Sequence, residues 1–254
     1  MKSITLKLTL SALLLNVHLA FAQDSELTFA TMEQLPYGFT KSPHKKSGML
    51  YEMLELIRQG VEVNAEHQLL PVKRLTNYLH SNKPTCSLIV NTYDYIEKFT
   101  LVAPINIYLN AGVVVKKTTN DISRKNLSSL TIAVPLGLKI SKEFDQNPSL
   151  KKIYPPRYKN ALEMFKHNTV DGIAGAIPTI LYLAKQKDIQ LSSFAKPIVY
   201  STGKLYLVCN NNVDEKIKKQ LAENVKQLKQ QRAFKKITEK YFDDSAKNLW
   251  AMRR

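Results

Sequence analysis

The sequence predicts an α/β fold in two lobes, each a mostly parallel sheet flanked by helices, and two observations carry that prediction. First, a helix-then-strand pattern occurs twice: Lys73 to Val90 reads KRLTNYLHSNKPTCSLIV, and 86 positions later Lys159 to Gly175 reads KNALEMFKHNTVDGIAG. Leu75, Tyr78 and Leu79 of the first copy align with Ala161, Met164 and Phe165 of the second, and Asn82 aligns with Asn168. Each copy places apolar residues at helical spacing, then a polar break, then a short apolar strand. Second, strands and helices alternate ahead of the first copy, and a β-α-β-α-β order implies a parallel sheet with covering helices.

Taken in order, Met1 to Ala22 carries Lys2 and Lys7, an apolar run from Leu8 to Phe21, and a small-x-small ending at Ala20-Phe21-Ala22. That is the pattern of a cleaved export leader, which would leave Gln23 as the first residue. No later segment approaches the ~18 apolar residues of a membrane span. Leu27 to Thr31 is a strand that runs into a turn-rich loop, Leu35-Pro36-Tyr37-Gly38-Phe39. Gly48 to Gly60 is a helix with Met49, Met53, Leu56 and Ile57 on one face, and Val61 to Leu70 is a second strand. The first copy adds a helix over Val72 to Ser81 and a strand over Cys86 to Val90. Asn91 to Ile107 reads as irregular, Ala111 to Lys117 as a β-branched strand, and Leu130 to Val134 as a strand entering Pro135-Leu136-Gly137 and a helix from about Ile140 to Gln146. After the second copy, Ile177 to Gln186 is a helix with Pro178 in its first turn, where proline is favoured. Ala195 to Tyr200 and Lys204 to Cys209 read as two strands, followed by two terminal helices. If the chain crosses between lobes near Tyr108 and returns near Thr202-Gly203, the last strand completes the first sheet and the two crossings make a hinge.

The formal net charge of +16 becomes +14 without Lys2 and Lys7. The densest lysine region, Lys216 to Lys240, reads as the wet face of a helix whose apolar side carries Ile217, Leu221, Val225 and Leu228. Aromatic interleaving of the kind that binds single strands is missing there, so nucleic acid is not expected. Cys86 and Cys209 are the two cysteines, which in an exported protein can pair. No His/Cys spacing resembles a zinc site, the histidines are scattered, and no metal or cofactor is expected.

The order LTFAT with LPYGF, then SGMLYEMLELI, KRLTNYLHSN, EKFTLVAPI, AGVVVKK, NLSSLTIAVPLG, TVDGIAGAIPTILYLAK and FKKITEKYF resembles the family 3 solute-binding proteins of bacterial ABC importers. The resemblance implies a two-lobed periplasmic-binding-protein-like fold of type II with two hinge crossings: a leader over 1–22, lobe 1 over 23–108 plus 203–254, and lobe 2 over 109–202. It implies a monomeric periplasmic receptor that closes on a small-molecule solute and hands it to an ABC permease or a sensor. The ligand would lie at the loops after Thr31, Leu70, Val90, Val134 and Ala174, outside the carboxyl ends of the strands. The resemblance also sets the returning strand antiparallel beside the third, which brings Cys86 and Cys209 together as a disulfide; the competing reading is two buried thiols.

Family members that bind amino acids commonly hold the ligand carboxylate with an arginine after the third strand and its amine with an acid after the later repeat strand. Here those positions fall at about Ile96, with Lys98 the nearest cation, and at Ala176. A buried carboxylate or ammonium without a partner loses several kcal/mol of hydration, so a zwitterionic amino acid is disfavoured unless Glu33, Arg74 or Lys98 substitutes. Tyr37 either meets the ligand or packs its loop, and Glu33 either meets a ligand cation or is a solvated loop acid. Arg74, opening the first-copy helix, either crosses the cleft toward an anion or lies on the surface. Asn91, Thr92 and Tyr93 follow the third strand at the cleft edge. Gly137 and Leu138 precede a helix, so their N–H groups could receive an oxygen. Gly175 and Ala176 are small and leave room for a bulkier ligand. Asp171 is read as structural. Besides a receptor, the scaffold admits a cyclic-acid dehydratase-like enzyme, for which Glu33 is the sole strong carboxylate candidate, and an interaction protein with a degenerate cleft.

Overall fold

A computed structural model describes residues 27–91, 99–117 and 123–242. In chain order the elements are β1 (Leu27–Met32), β2 (Phe39–Ser42), β3 (Lys45–Ser47), α1 (Met49–Gln59), β4 (Ala65–Leu70), α2 (Val72–His80), β5 (Thr85–Val90) and β6 (Thr100–Val115). They continue with β7 (Thr131–Ala133), α3 (Lys142–Asp145), β8 (Lys151–Ile153), α4 (Tyr158–Lys166), β9 (Gly172–Ala176), α5 (Ile177–Gln186), β10 (Ile198–Cys209), α6 (Glu215–Gln230) and α7 (Ala233–Tyr241). Eight strands form one sheet in the order β4-β1-β5-β10-β6-β9-β7-β8, and β2 with β3 makes a separate hairpin. The outer trios, β4-β1-β5 and β9-β7-β8, are parallel within themselves, whereas β10 runs antiparallel to both β5 and β6 and β6 antiparallel to β9. Two parallel lobes are thus joined through two long antiparallel strands. Among the described residues no helix is long and apolar enough to cross a membrane.

Both copies of the repeated unit form, as α2 with β5 and as α4 with β9. Five parts of the chain differ from expectation. The segment read as irregular is, from Thr100 onward, the first part of a 16-residue strand. Ala103, Ile105, Ile107 and Leu109 alternate inward there, and β9 pairs only with residues 111–115. The earlier part of β6 is therefore an edge, where Pro104 forfeits no ladder hydrogen bond. The two strands read around Ser201-Thr202-Gly203 are one, β10. Gly203 serves close packing rather than a turn: a Cβ on it would stand 2.3 Å from Val90 Cγ1 and 2.8 Å from the Asn91 carbonyl oxygen. The helix expected over Ile140 to Gln146 is a single turn, α3, and the β2–β3 hairpin and β8 are additional elements with no counterpart in the expected order.

The core lies on both sheet faces. Phe29, Met53, Leu54 and Ile57 are fully buried between β1 and the α1 face, and Leu75 and Leu79 of α2 close the other side against Ala30, Leu70 and Val208. Val113, Ile132 and Phe144 centre the corresponding layer of the second lobe. Burying each such side chain contributes about 1.5–3 kcal/mol, which explains why apolar periodicity alone located most elements. Cys86 and Cys209 face each other in the β5–β10 register and are joined in a disulfide. Their Cα atoms are 4.1 Å apart, the close spacing of a non-hydrogen-bonded antiparallel pair.

Candidate functional site

The loops that the sequence placed at the cleft are organised by α1. The first N–H groups of a helix lack intrahelical partners, and here those of Met49, Leu50 and Tyr51 donate to the carbonyls of Pro36 and Tyr37 at 2.9, 2.9 and 3.1 Å. Gly48 permits this approach: its φ is +129°, and a Cβ would stand 2.4 Å from the Tyr37 carbonyl oxygen. The loop after β1 is thereby fixed to the helix, and Tyr37 is 4% exposed.

The Tyr37 side chain reaches the second lobe. Thr179 Oγ1, in the first turn of α5, donates to its hydroxyl at 3.0 Å. Beside it, Tyr158 at the start of α4 accepts the Ala176 N–H at 2.9 Å and is 6% exposed. Burial pushes the Tyr37 phenol up to about 12 against the smaller opposing effect of the Thr179 hydrogen bond. Burial raises Tyr158 as well; the Ala176 N–H partly offsets this, and neighbouring Tyr37 adds to it. Both phenols are therefore neutral, and this interlobe contact carries no net charge. Replacing Tyr37 with Phe is expected to cost about 1 kcal/mol, the net worth of one buried hydrogen bond, and to raise the radius of gyration measured by small-angle scattering. An unchanged radius would show that other contacts hold the lobes.

The predicted site residues divide on this geometry. Glu33 is exposed beyond β1, with its N–H donating to the Leu70 carbonyl at 2.7 Å. Arg74 is exposed on α2, and Asn91 is half-buried at the end of β5, its N–H donating to the Lys204 carbonyl at 2.8 Å. Thr92, Tyr93, Ile96 and Lys98 lie outside the described residues. Gly175 and Ala176 end β9 as expected, but they do not leave room. The Tyr158 ring lies against Gly175, whose φ is +157° and whose added Cβ would stand 2.4 Å from the Tyr158 hydroxyl.

Leu138 and Gly137 do not stand at a helix start, because α3 begins only at Lys142. The Leu138 N–H donates to Pro135 at 3.1 Å in a turn that Gly137 allows with φ +82°. At the one-turn α3, Ser141 Oγ takes the Phe144 N–H and the Asp145 carboxylate takes that of Ile140, so these donors are already used. Asp171 accepts the Thr131 N–H at 2.8 Å and ties β7 to the β9 side, a structural role.

Tyr158 and Thr179 are the residues that sequence reasoning missed. A signal for the first existed: the repeat alignment sets Tyr158 against Val72, and the copies differ there in size. Val72 is 43% exposed whereas Tyr158 is buried.

One further constellation has the order of a nucleophile relay. Thr31 Oγ1 lies 3.0 Å from His67 Nε2, and His67 Nδ1 lies 2.8 Å from Glu55 Oε2. An ionised carboxylate only accepts, so Nδ1–H donates to Glu55 and Nε2 accepts from Thr31. Burial pulls His67 down to about 4, outweighing the opposing pull of Glu55. Thr31 is 2% exposed, so its hydroxyl meets no substrate from solvent and the relay is internal support. Among the described residues no group of three or more His, Cys, Asp or Glu side chains is placed to hold a metal ion.

The family pattern described as bacterial extracellular solute-binding proteins, family 3, matches residues 27–244. The chain belongs to that family. It is 24% identical over 221 residues to the "Probable amino-acid-binding protein YxeM" of Bacillus subtilis (strain 168), covering 85% of this chain and 83% of that one. A crystal structure of the substrate binding protein of an amino acid ABC transporter superposes with a TM-score of 0.65 at 17% identity, over 86% of this chain and 99% of that one. A histidine kinase sensor domain with similarity to periplasmic binding proteins superposes with a TM-score of 0.68 at 13% identity, over 87% and 96%. At such identities the superpositions establish the fold, a periplasmic-binding-protein-like α/β architecture.

Proposed function

We propose that this solute-binding protein is a monomeric periplasmic receptor that captures a small polar solute between its lobes without turning it over, and presents it to an ABC permease or a sensing partner. The observation that carries this reading is the hydrogen bond from Thr179 to Tyr37, which links the loop after β1 in one lobe to the first turn of α5 in the other. Both ends lie just beyond the carboxyl ends of strands, where ligands of open α/β sheets bind. The proposed division is a leader over 1–22, lobe 1 over 23–108 plus 203–254, and lobe 2 over 109–202. The pairing of Tyr108 with Lys204 and of Asn110 with Thr202 supports it. Glu33, Arg74, Asn91, Thr92 and Tyr93 are the proposed ligand contacts, and Tyr37, buried against Thr179, packs its loop instead.

The solute is not a standard zwitterionic amino acid. Ala176 stands where an amine-binding acid is expected, and its N–H is held by Tyr158. A ligand ammonium placed there would have no charged partner and would forfeit its hydration. A thermal-shift panel of amino acids, amines, organic acids and peptides is expected to give one stabilising class without an ammonium-carboxylate pair. Stabilisation should reach about 2.7 kcal/mol at a hundred times Kd. Selective stabilisation by a zwitterionic amino acid would overturn the substrate assignment, and silence across the panel would overturn the receptor.

A further inference from the structure

Among the described residues, Leu136 at 69% and Tyr154 at 56% are the most exposed large apolar side chains. They are neighbours. The β7–β8 register pairs Ala133 with Ile153, and the ladder runs on past both strands: the Val134 N–H donates to the Ile153 carbonyl at 2.7 Å and the Leu136 N–H to that of Pro155 at 2.9 Å. Tyr154 thus lies beside Val134 and Pro156 beside Leu136, and alternate residues of paired strands share a face. On that face Phe144 of α3 clusters with Ile132 and Val134. A single helical turn does not extend over Leu136, Tyr154 or Pro156, which stay exposed. Because β8 is the last strand of the sheet, Ile153, exposed on the opposite face, reaches the same rim. The charge around this rim has one sign. Residues 124–142 and 147–162 contain no Asp or Glu. The two acids between them are engaged, Glu143 with Arg124 at 2.8 Å and Asp145 with the Ile140 N–H at 3.1 Å. Lys139, Lys151 and Arg157 are exposed and form no ion pair among the described residues. Lys152 donates to the carbonyls of Phe144 and Asp145, neutral acceptors that leave its charge in place.

We infer that this rim of the second lobe docks on an anionic lipid surface, with Leu136, Ile153 and Tyr154 among the headgroups and Lys139, Lys151 and Arg157 against the lipid phosphates. Apolar side chains ringed by cations are the composition of a membrane-surface contact, whose strength grows with both the apolar area buried and the attraction to anionic lipid. A tyrosine suits the boundary because its ring is apolar and its hydroxyl stays wet. Lysine and arginine stems can lie along the apolar surface while their charged ends reach the phosphates. The backbone favours lipid over a protein strand. The N–H groups of Val134, Leu136 and Leu138 already donate to carbonyls, and Pro135, Pro155 and Pro156 have none to offer. This part of the rim therefore leaves water without stranding those donors, and has few left for an added strand. A second copy of the chain is opposed by like charge on both rims and by a formal net charge of +16. The inference goes beyond the receptor reading and does not require the cleft solute.

The test is co-sedimentation of the intact protein with phosphatidylcholine vesicles, with and without about a quarter of phosphatidylglycerol. Binding is expected to the anionic vesicles and to weaken as salt rises from about 0.05 to 0.5 M. Leu136→Ser/Tyr154→Ala, which leaves the charge unchanged, should weaken it about three- to tenfold. Lys139→Gln/Lys151→Gln/Arg157→Gln should weaken it at least about tenfold. All these side chains are exposed, so the circular dichroism spectra should not change. The control removes equal charge from α6 and α7, as Lys219→Gln/Lys226→Gln/Lys236→Gln, and should lose less than about threefold. An equal loss in the control would reduce the effect to adsorption by net charge and overturn the rim. No loss in Leu136→Ser/Tyr154→Ala would overturn the apolar contact. Tighter binding to poly-glutamate than to the vesicles, lost in the same rim variants, would make the partner an acidic protein and overturn the lipid assignment.

Discussion

Replacing Cys86 and Cys209 together with alanine is expected to lower the unfolding free energy by about 4 kcal/mol. The two residues are separated by 123 positions, so the bond closes a loop of more than a third of the chain in the unfolded state. Loop-closure entropy grows only as the logarithm of length, but at this length it is near the top of the usual range. The native sheet should survive, because β5 and β10 remain paired from Val90–Leu205 to Cys86–Cys209 by backbone hydrogen bonds. The variant should therefore keep its circular dichroism spectrum while its urea midpoint falls. Both sulfurs are fully buried, so reductant should act on the wild type chiefly once it unfolds, and should leave the variant unchanged. If the variant lies within about 1 kcal/mol of the wild type, below the usual cost of losing a native disulfide, the bond does not constrain the unfolded chain as argued.

Acidification from pH 6.5 to 4 is expected to remove about 3 kcal/mol of stability through His67 alone. Its side chain is 4% exposed, stacked on Tyr51 at 4.1 Å, and held near a pKa of about 4 mainly by burial. In the unfolded chain the imidazole returns to its ordinary value near 6.5. Between these two values the unfolded state binds more protons, so stability falls as pH falls, and below pH 4 this group contributes no further loss. Glu55 acts lower. Hydrogen bonding from Arg58 first, and from His67, holds it at about 2 against the opposing effect of burial, so its contribution is present above pH 4.5 and is lost as pH falls toward 2. Urea unfolding at pH 7, 5.5 and 4 for the wild type and His67→Gln separates the groups. The variant should be less stable at pH 7 yet nearly flat from 6.5 to 4, and equal slopes in the two proteins would remove His67 as the cause.

Local pattern reached a long way into this fold. The apolar stripes of α1, α2 and α4 and the short runs of β1, β5 and β9 each bury one continuous set of side chains, and such periodicity is written in neighbouring residues. Where it failed, the deciding contact was distant. Pro104 looks like a strand breaker until β6 is known to be an edge at that point, and Gly203 looks like a turn until Val90 is seen against it. The candidate site shows the same division. Tyr37 could be placed at a strand end from its neighbours, but its partner Thr179 lies 142 positions away. Gly175 and Ala176 promised space, yet that space is set by Tyr158 folding back over them from α4.

By itself the sequence determined that this is a two-lobed α/β protein of the solute-binding family, because repeated amphipathic spacing and the order of its elements survive without coordinates. Only the tertiary structure decided that the crossings are two continuous strands and that the end of β9 in the second lobe is covered by a tyrosine. Both depend on which surfaces meet after the chain has crossed between lobes twice, and no local propensity encodes that.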